Sequence, residues 1–193
     1  MSSTNRSSAR NTHISDYYVT PISCIQDFLQ QFTKDVQLPE SLLILDPCAG
    51  GDEHNPMSYP VAINRINEWF TIDTMDIRDT SLAEEKCDYL LKIVEPEKYD
   101  IIITNPPFNL AQEIITKALY DVRKGGYVIM LLRLNFFGSK ARFPFWENQL
   151  PTHAYVHHRR MSFTDDGKTD SIEYMHCVWQ KDIYPESTKL KII

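Results

Sequence analysis

Three short apolar runs constrain this chain most: Leu42–Leu45, the Ile-Ile-Ile of 101–103 within a strand read over 99–103, and Tyr127–Leu132. Each is too short for a stable helix and is bounded by acid, glycine or proline. Between them lie segments of helical periodicity. Residues 21–36 space Ile22, Ile25, Phe28, Leu29, Phe32 and Val36 on one face, and 110–123 do the same with Leu110, Ile114, Ile115, Ala118, Leu119 and Val122. That alternation builds βα units around a mostly parallel sheet buried on both faces.

Local signals fill in the rest. Asn109 and Gln112 read as a capping box for the second helix, and Lys124-Gly125-Gly126 as its stop. A short helix is expected at about 60–68 and a strand at Trp69–Thr74. Residues 135–150 are aromatic and basic, irregular or loosely helical. Two strands, about 154–163 and 171–180, joined by the acid-rich turn 164–170, form a C-terminal antiparallel hairpin. The turn has neither the glycine position nor the distal bidentate acid of an EF-hand, so it reads as a turn and not a calcium loop. The expected fold class is therefore α/β, a Rossmann-like, mostly parallel sheet with a C-terminal antiparallel strand. Residues 1–12 read as a disordered lead-in and 13–193 as one domain.

Net charge is −6 and the pI is near 5.5, which excludes a protein that grips nucleic acid over its whole surface. The distribution is uneven: 133–160 carries five basic residues (Arg133, Lys140, Arg142, Arg159, Arg160) against one acid, Glu147. The four cysteines are scattered without a CxxC, which points to a reducing, cytoplasmic setting and to no disulfide framework or metal site. No apolar run is long enough to span a membrane, and the N-terminus lacks a secretory h-region.

Chemistry in such a sheet sits outside the carboxyl ends of the strands, and each end here carries a polar cluster. Asp46-Pro47-Cys48-Ala49-Gly50-Gly51 offers a tight turn with an acid facing an ammonium group. In Asp-Thr-Met-Asp-Ile-Arg (73–78), Asp76 suits ribose hydroxyls and Ile77 an adenine face, with Asp73 the rival acid. Asp88 is a further acceptor. After the strand at 99–103 comes Thr104-Asn105-Pro106-Pro107-Phe108. The prolines fix where the Asn105 amide and the Pro106 carbonyl point. Two acceptors aimed at one spot take both hydrogens of an –NH2 group and favour its attack on an electrophilic methyl. Phe108 supplies a ring for a planar base.

Taken together, DPCAGGD (46–52), MDIR (75–78), CDYL (87–90) and TNPPF (104–108), with DYYVTP (16–21) and RRMSFTDDGKTDSIEY (159–174), resemble the S-adenosylmethionine-dependent amino-methyltransferases. Among these the chain is most similar to compact, phage-type DNA adenine-N6 methyltransferases. The resemblance implies S-adenosylmethionine as cofactor. Thr20, Pro21, Asp46 and Gly50 would surround its methionine end, Asp76 its ribose and Asp88 its adenine amine. Pro47, Gly51, Ile77, Tyr89 and Asn105 would complete that site. Asn105, Pro106, Pro107 and Phe108 would hold the target base, Phe163 would wall it, and the five basic residues would meet phosphates.

Two departures stand out. Asp52 occupies the place of the family's second glycine, and the stretch from Asp52 to Asn105 is taken up by strands, with no room for a target-recognition domain. Sequence choice would then come from 135–150 and 164–170, or be relaxed. The partner expected is DNA, duplex or single-stranded, and a homodimer or accessory protein would enlarge the small basic footprint. RNA base-amine methylation is the alternative. Release-factor glutamine methylation ranks third because such enzymes carry Tyr at the Phe108 position, and cytosine-N4 methylation is disfavoured by Asn105. A cofactor- or nucleic-acid-binding relict without turnover is the reading from outside enzymes.

Overall fold

The computed structural model describes residues 18–163 and 170–193. The proposed lead-in and most of the 164–170 turn lie outside them. Helix α1 (Ile22–Asp35) buries Ile25, Phe28, Leu29 and Phe32, the i, i+3, i+4, i+7 stripe the sequence foretells. Strand β1 (Leu43–Asp46) follows, then α2 (Ser58–Asn64), β2 (Thr71–Asp76) and a two-residue β3 (Glu85–Lys86). The short helix starts before its expected boundary because Pro60, which cannot donate, is tolerated in a first turn whose N–H groups have no helical partner anyway. The second strand runs two residues later than expected and so ends on Asp76, while Trp69 is exposed.

Strand β4 (Tyr99–Thr104) leads through the double proline to α3 (Ala111–Asp121). No capping box forms: Leu110 is the N-cap, without a side-chain bond, and the Leu110 amide closes a turn onto the Pro107 carbonyl at 2.9 Å. Nor does Lys124-Gly125-Gly126 end the helix. The chain turns extended at Val122, which is buried and pairs with Tyr99, and β5 runs from Val122 to Arg133. Gly126 sits where β5 presses on β4; a Cβ there would lie 2.6 Å from the Asp100 carbonyl oxygen.

Beyond β5 the aromatic segment folds into 3-10 turns at Leu134–Phe137 and Lys140–Arg142 and into α4 (Phe143–Asn148). Phe136 and Trp146 are buried there, edge to face at 5.6 Å. Strands β6 (His153–Val156) and β7 (Tyr174–Gln180) form the antiparallel pair, with β6 stopping seven residues short of its expected end at 163. A further strand, β8 (Lys189–Ile192), pairs parallel with β6 at the sheet edge.

The strand order is β3-β2-β1-β4-β5-β7-β6-β8, all neighbours parallel except β7 against β5 and β6. The chain runs outward from β1 to β3, then crosses back to β4 on the other side of β1. That reversal makes a topological switch point at the carboxyl ends of β1 and β4. One core lies between the sheet and α1–α2, the other between the sheet and α3–α4.

Candidate active site

At the switch point the turn after β1 is drawn onto the end of β2. The Ala49 amide donates to the Met75 carbonyl at 2.9 Å and the Gly50 amide to Asp76 Oδ2 at 2.8 Å. Gly50 and Gly51 adopt φ of 66° and 75°, a region that disfavours side chains. At Gly51 space is equally restrictive, since a Cβ would meet Met57 Cγ at 2.9 Å and Leu82 Cβ at 3.0 Å. Asp52, the departure from the glycine pattern, folds the next turn upon itself by accepting from the His54 and Asn55 amides, each at 2.8 Å. Its side chain does not line the cleft.

That cleft, about 850 Å³ of space open to solvent, is walled by Thr20, Pro47, Gly51, Asp76, Ile77, Asp88, Tyr89, Asn105 and Pro107 among the residues expected from sequence. Pro21, Gly50, Pro106 and Phe108 stand behind or beside the wall, Pro21 as the N-cap of α1. Thr20, 2% exposed, receives a hydrogen bond from Asn105 Nδ2 at 3.0 Å. This turns the amide so that Asn105 Oδ1 is buried with no partner among the described residues.

Asp46 lies fully buried below the cleft. Its Oδ1 accepts from the Thr104 hydroxyl at 2.6 Å and the Cys48 amide at 3.2 Å, whereas Oδ2 has no partner among the described residues. Burial pushes its carboxyl up to about 7; the bonds from Thr104 and Cys48 pull the other way, and the charge of Asp76 adds to the rise. Two buried acceptors at adjacent strand ends, both unmet, form a donor-seeking pair. In their chemistry these acceptors suit the donors of an amino-acid ammonium and of an –NH2 group.

Other residues are more occupied than the sequence implies. Asp76 Oδ1 accepts from the Arg78 amide (2.8 Å) and Nε (3.2 Å), and Arg78 Nη2 reaches the Gly51 carbonyl at 3.2 Å. With Gly50 on Oδ2, one lone pair of that oxygen remains open to a further donor, and Arg78 clamps the glycine turn. Asp73, the rival acid, faces away and pairs with Lys98 at 2.7 Å. Tyr89 presents its ring, but its hydroxyl donates to Asp121 at 2.7 Å in the core. Arg142 packs over the Phe136 ring and Arg133 over that of Phe108, so neither stands as an open cation. Lys140 and Arg159 are exposed, and Arg160 pairs with Glu173 at 3.1 Å. Phe163 meets Tyr174 at 4.9 Å.

Sequence reasoning missed Tyr59, Arg78 and Thr104. Tyr59 lines the cleft and its hydroxyl meets His176 Nε2 at 3.0 Å; His176 Nδ1 meets His157 Nε2 at 2.8 Å. No local pattern signals that chain, because its members lie on α2, β7 and the segment after β6. Burial pushes the His157 imidazole down to about 4.

No family model matches the chain, and no curated protein matches it by sequence. Solved structures do match in shape. A class I S-adenosylmethionine-dependent methyltransferase candidate from Listeria monocytogenes superposes with a TM-score of 0.66 at 16% identity, covering 95% of this chain and 68% of that one. An RNA methyltransferase candidate from Pyrococcus horikoshii gives 0.61 at 14%, covering 89% and 88%. A Thermus thermophilus 16S rRNA methyltransferase, solved with AdoMet and guanosine, gives 0.56 at 18%; 87% of this chain spans 45% of that one. The chain thus has the class I S-adenosylmethionine-dependent methyltransferase fold. Among its described residues no helix is long and apolar enough to cross a membrane.

Proposed function

We propose that the chain is an S-adenosylmethionine-dependent methyltransferase acting on the exocyclic amine of a nucleic-acid base, adenine N6 in DNA before all others. The observation that carries this is Asn105: a buried amide oxygen without a partner, oriented by Thr20, on a double proline at the end of β4. When bound, the cofactor would supply an electrophilic methyl on a sulfonium, with the thioether as leaving group, and water would take the amine's surplus proton. Asn105 Oδ1 and the Pro106 carbonyl each accept a hydrogen of the amine and hold its lone pair toward the methyl. Asp46 Oδ2 receives the cofactor's ammonium, Asp76 Oδ2 a ribose hydroxyl, and the half-buried Asp88 an adenine amine. The aromatic group around Phe108 receives the base, extruded at a cost of a few kcal/mol.

RNA is the second reading, favoured by the RNA methyltransferases among the structural neighbours. Nucleoside mass spectrometry after incubation with deuterated S-adenosylmethionine separates the two. Labelled N6-methyl-deoxyadenosine from DNA, reduced about 100-fold or more in Asn105→Ala, is the expected outcome. Label confined to RNA moves the substrate. Cofactor binding without any label in either polymer removes the enzymatic reading.

A further inference from the structure

Phe108 is the ring that the Asn-Pro-Pro step offers to a base, yet without substrate it is already engaged. The guanidinium carbon of Arg133 lies 4.3 Å from its centroid. Tyr18 and Tyr174 flank the same ring at 6.2 and 5.9 Å, and Phe163 closes the group at 5.7 Å from Tyr18. Arg133 comes from the end of β5, which the Thr104–Met130 pairing sets beside the exit of β4. Four rings and one planar cation therefore fill the space next to Asn105.

The bonding of that cation is lopsided. The charge of Arg133 acts on the Tyr174 hydroxyl, which donates to Asp170 at 2.6 Å. Its Nε–H is buried with no acceptor among the described residues. The attraction of a guanidinium for a phenyl face and the cost of a buried unmet donor are of the same order. Arg133 is thus held on the ring with little net preference, and its unused Nε–H matches one half of the fork that binds a phosphate. Arg159 stands exposed past the carboxyl end of β6, at the same end of the sheet as Arg133, beside Arg160, which pairs with Glu173.

We infer that Arg133 is a displaceable occupant of the Phe108 ring and a positioning residue for the substrate. When a base stacks on Phe108, the guanidinium leaves the ring and takes a phosphate beside the target nucleotide through Nε–H and a terminal N–H. The inference rests on the reading of the site as one for a nucleic-acid base.

Arginine side-chain NMR tests it. In protein labelled with ¹⁵N-arginine, the ring current of Phe108 shifts the Arg133 Nε–H proton upfield. The signal is assigned by its loss in Arg133→Lys, or by its return to the ordinary position in Phe108→Leu should the lysine variant not fold. The titrants, with S-adenosylhomocysteine present, are a thymine oligonucleotide with one central adenine and the same strand with an abasic site there. The adenine strand is expected to move the signal to the ordinary arginine position, and the abasic strand to leave it upfield. Arg133→Gln should also lower the slope of log affinity against log salt by about one for the adenine strand. A signal that stays upfield at saturation, with methyl transfer intact, makes Arg133 a permanent backing for the ring and overturns the inference alone. Displacement by the abasic strand as well overturns the exchange with a base. Failure to bind or methylate any strand, DNA or RNA, overturns the reading of the site and the inference with it.

Discussion

Asp46 combines a fully buried carboxylate with one unmet oxygen, and its protonation links stability to ligand binding. Because its folded pKa is raised to about 7 from an ordinary value near 4, the ionised form is disfavoured in the fold. Its contribution is fully present below about pH 4 and is lost as pH rises through 7, roughly 3–4 kcal/mol in all. His157 acts oppositely. Depressed to about 4, it contributes stability above pH 6.5 that is lost as pH falls toward 4, about 3 kcal/mol. His176, also held well below the ordinary imidazole range by burial, acts in the same direction as His157, so in the wild type Asp46 offsets only part of the histidine trend. Asp46→Asn should therefore be more stable than wild type at pH 7.5, gain nothing at pH 4.5, and lose stability on acidification more steeply than the wild type. Urea denaturation at three pH values reads this directly. In the proposed site the cofactor's ammonium would lie beside Oδ2 and favour the ionised carboxylate, so binding should expel a proton. Affinity should tighten on the order of tenfold from pH 5.5 to 7.5, and calorimetry in buffers of different ionisation enthalpy should count the proton released. Asp46→Asn should abolish both effects.

At the level of elements, the turn between β1 and α2 is held by close approach more than by hydrogen bonds alone. Gly51→Ala must accept φ near 75° and push Met57 and Leu82 aside, at a cost of about 1–2 kcal/mol. A melting temperature lower by several degrees and a weaker cofactor affinity are the expected readings. Helices α1 and α3 were legible because their side chains keep one period and one buried face, and strands β1, β4 and β5 because their apolar residues run unbroken and are buried on both faces of the sheet. Their ends were less so. Asn109 looked like a cap, but the prolines carry the chain past it, and Gly125-Gly126 looked like a helix stop where tight contact with β4 requires glycine. Strand β8 was missed although Lys189-Leu190-Lys191-Ile192 alternates, because the run is only four residues long and all four are exposed at the sheet edge. In the site, acids and prolines at strand ends could be picked out singly. The bonds that orient them, Thr20 to Asn105, Thr104 to Asp46 and Arg78 to Asp76, join residues on different elements and leave no local pattern.

For the whole molecule, an acidic body with a small basic rim limits how nucleic acid is held. Arg133 and Arg142 are packed on rings and Arg160 is paired, so Lys140 and Arg159 are the most accessible cations of the expected footprint. Lys140→Ala and Arg159→Ala should each weaken binding about equally for all sequences and lower the salt slope by about one, measured by anisotropy at several salt concentrations. The unmet acceptors of Asp46 and Asn105 carry a consequence of another kind. A ligand that satisfies them binds only the folded chain, so above its Kd the unfolded fraction falls in proportion to its concentration. In a cell, where proteases sample the unfolded fraction, the half-life of this protein becomes a readout of how much methyl donor is at hand.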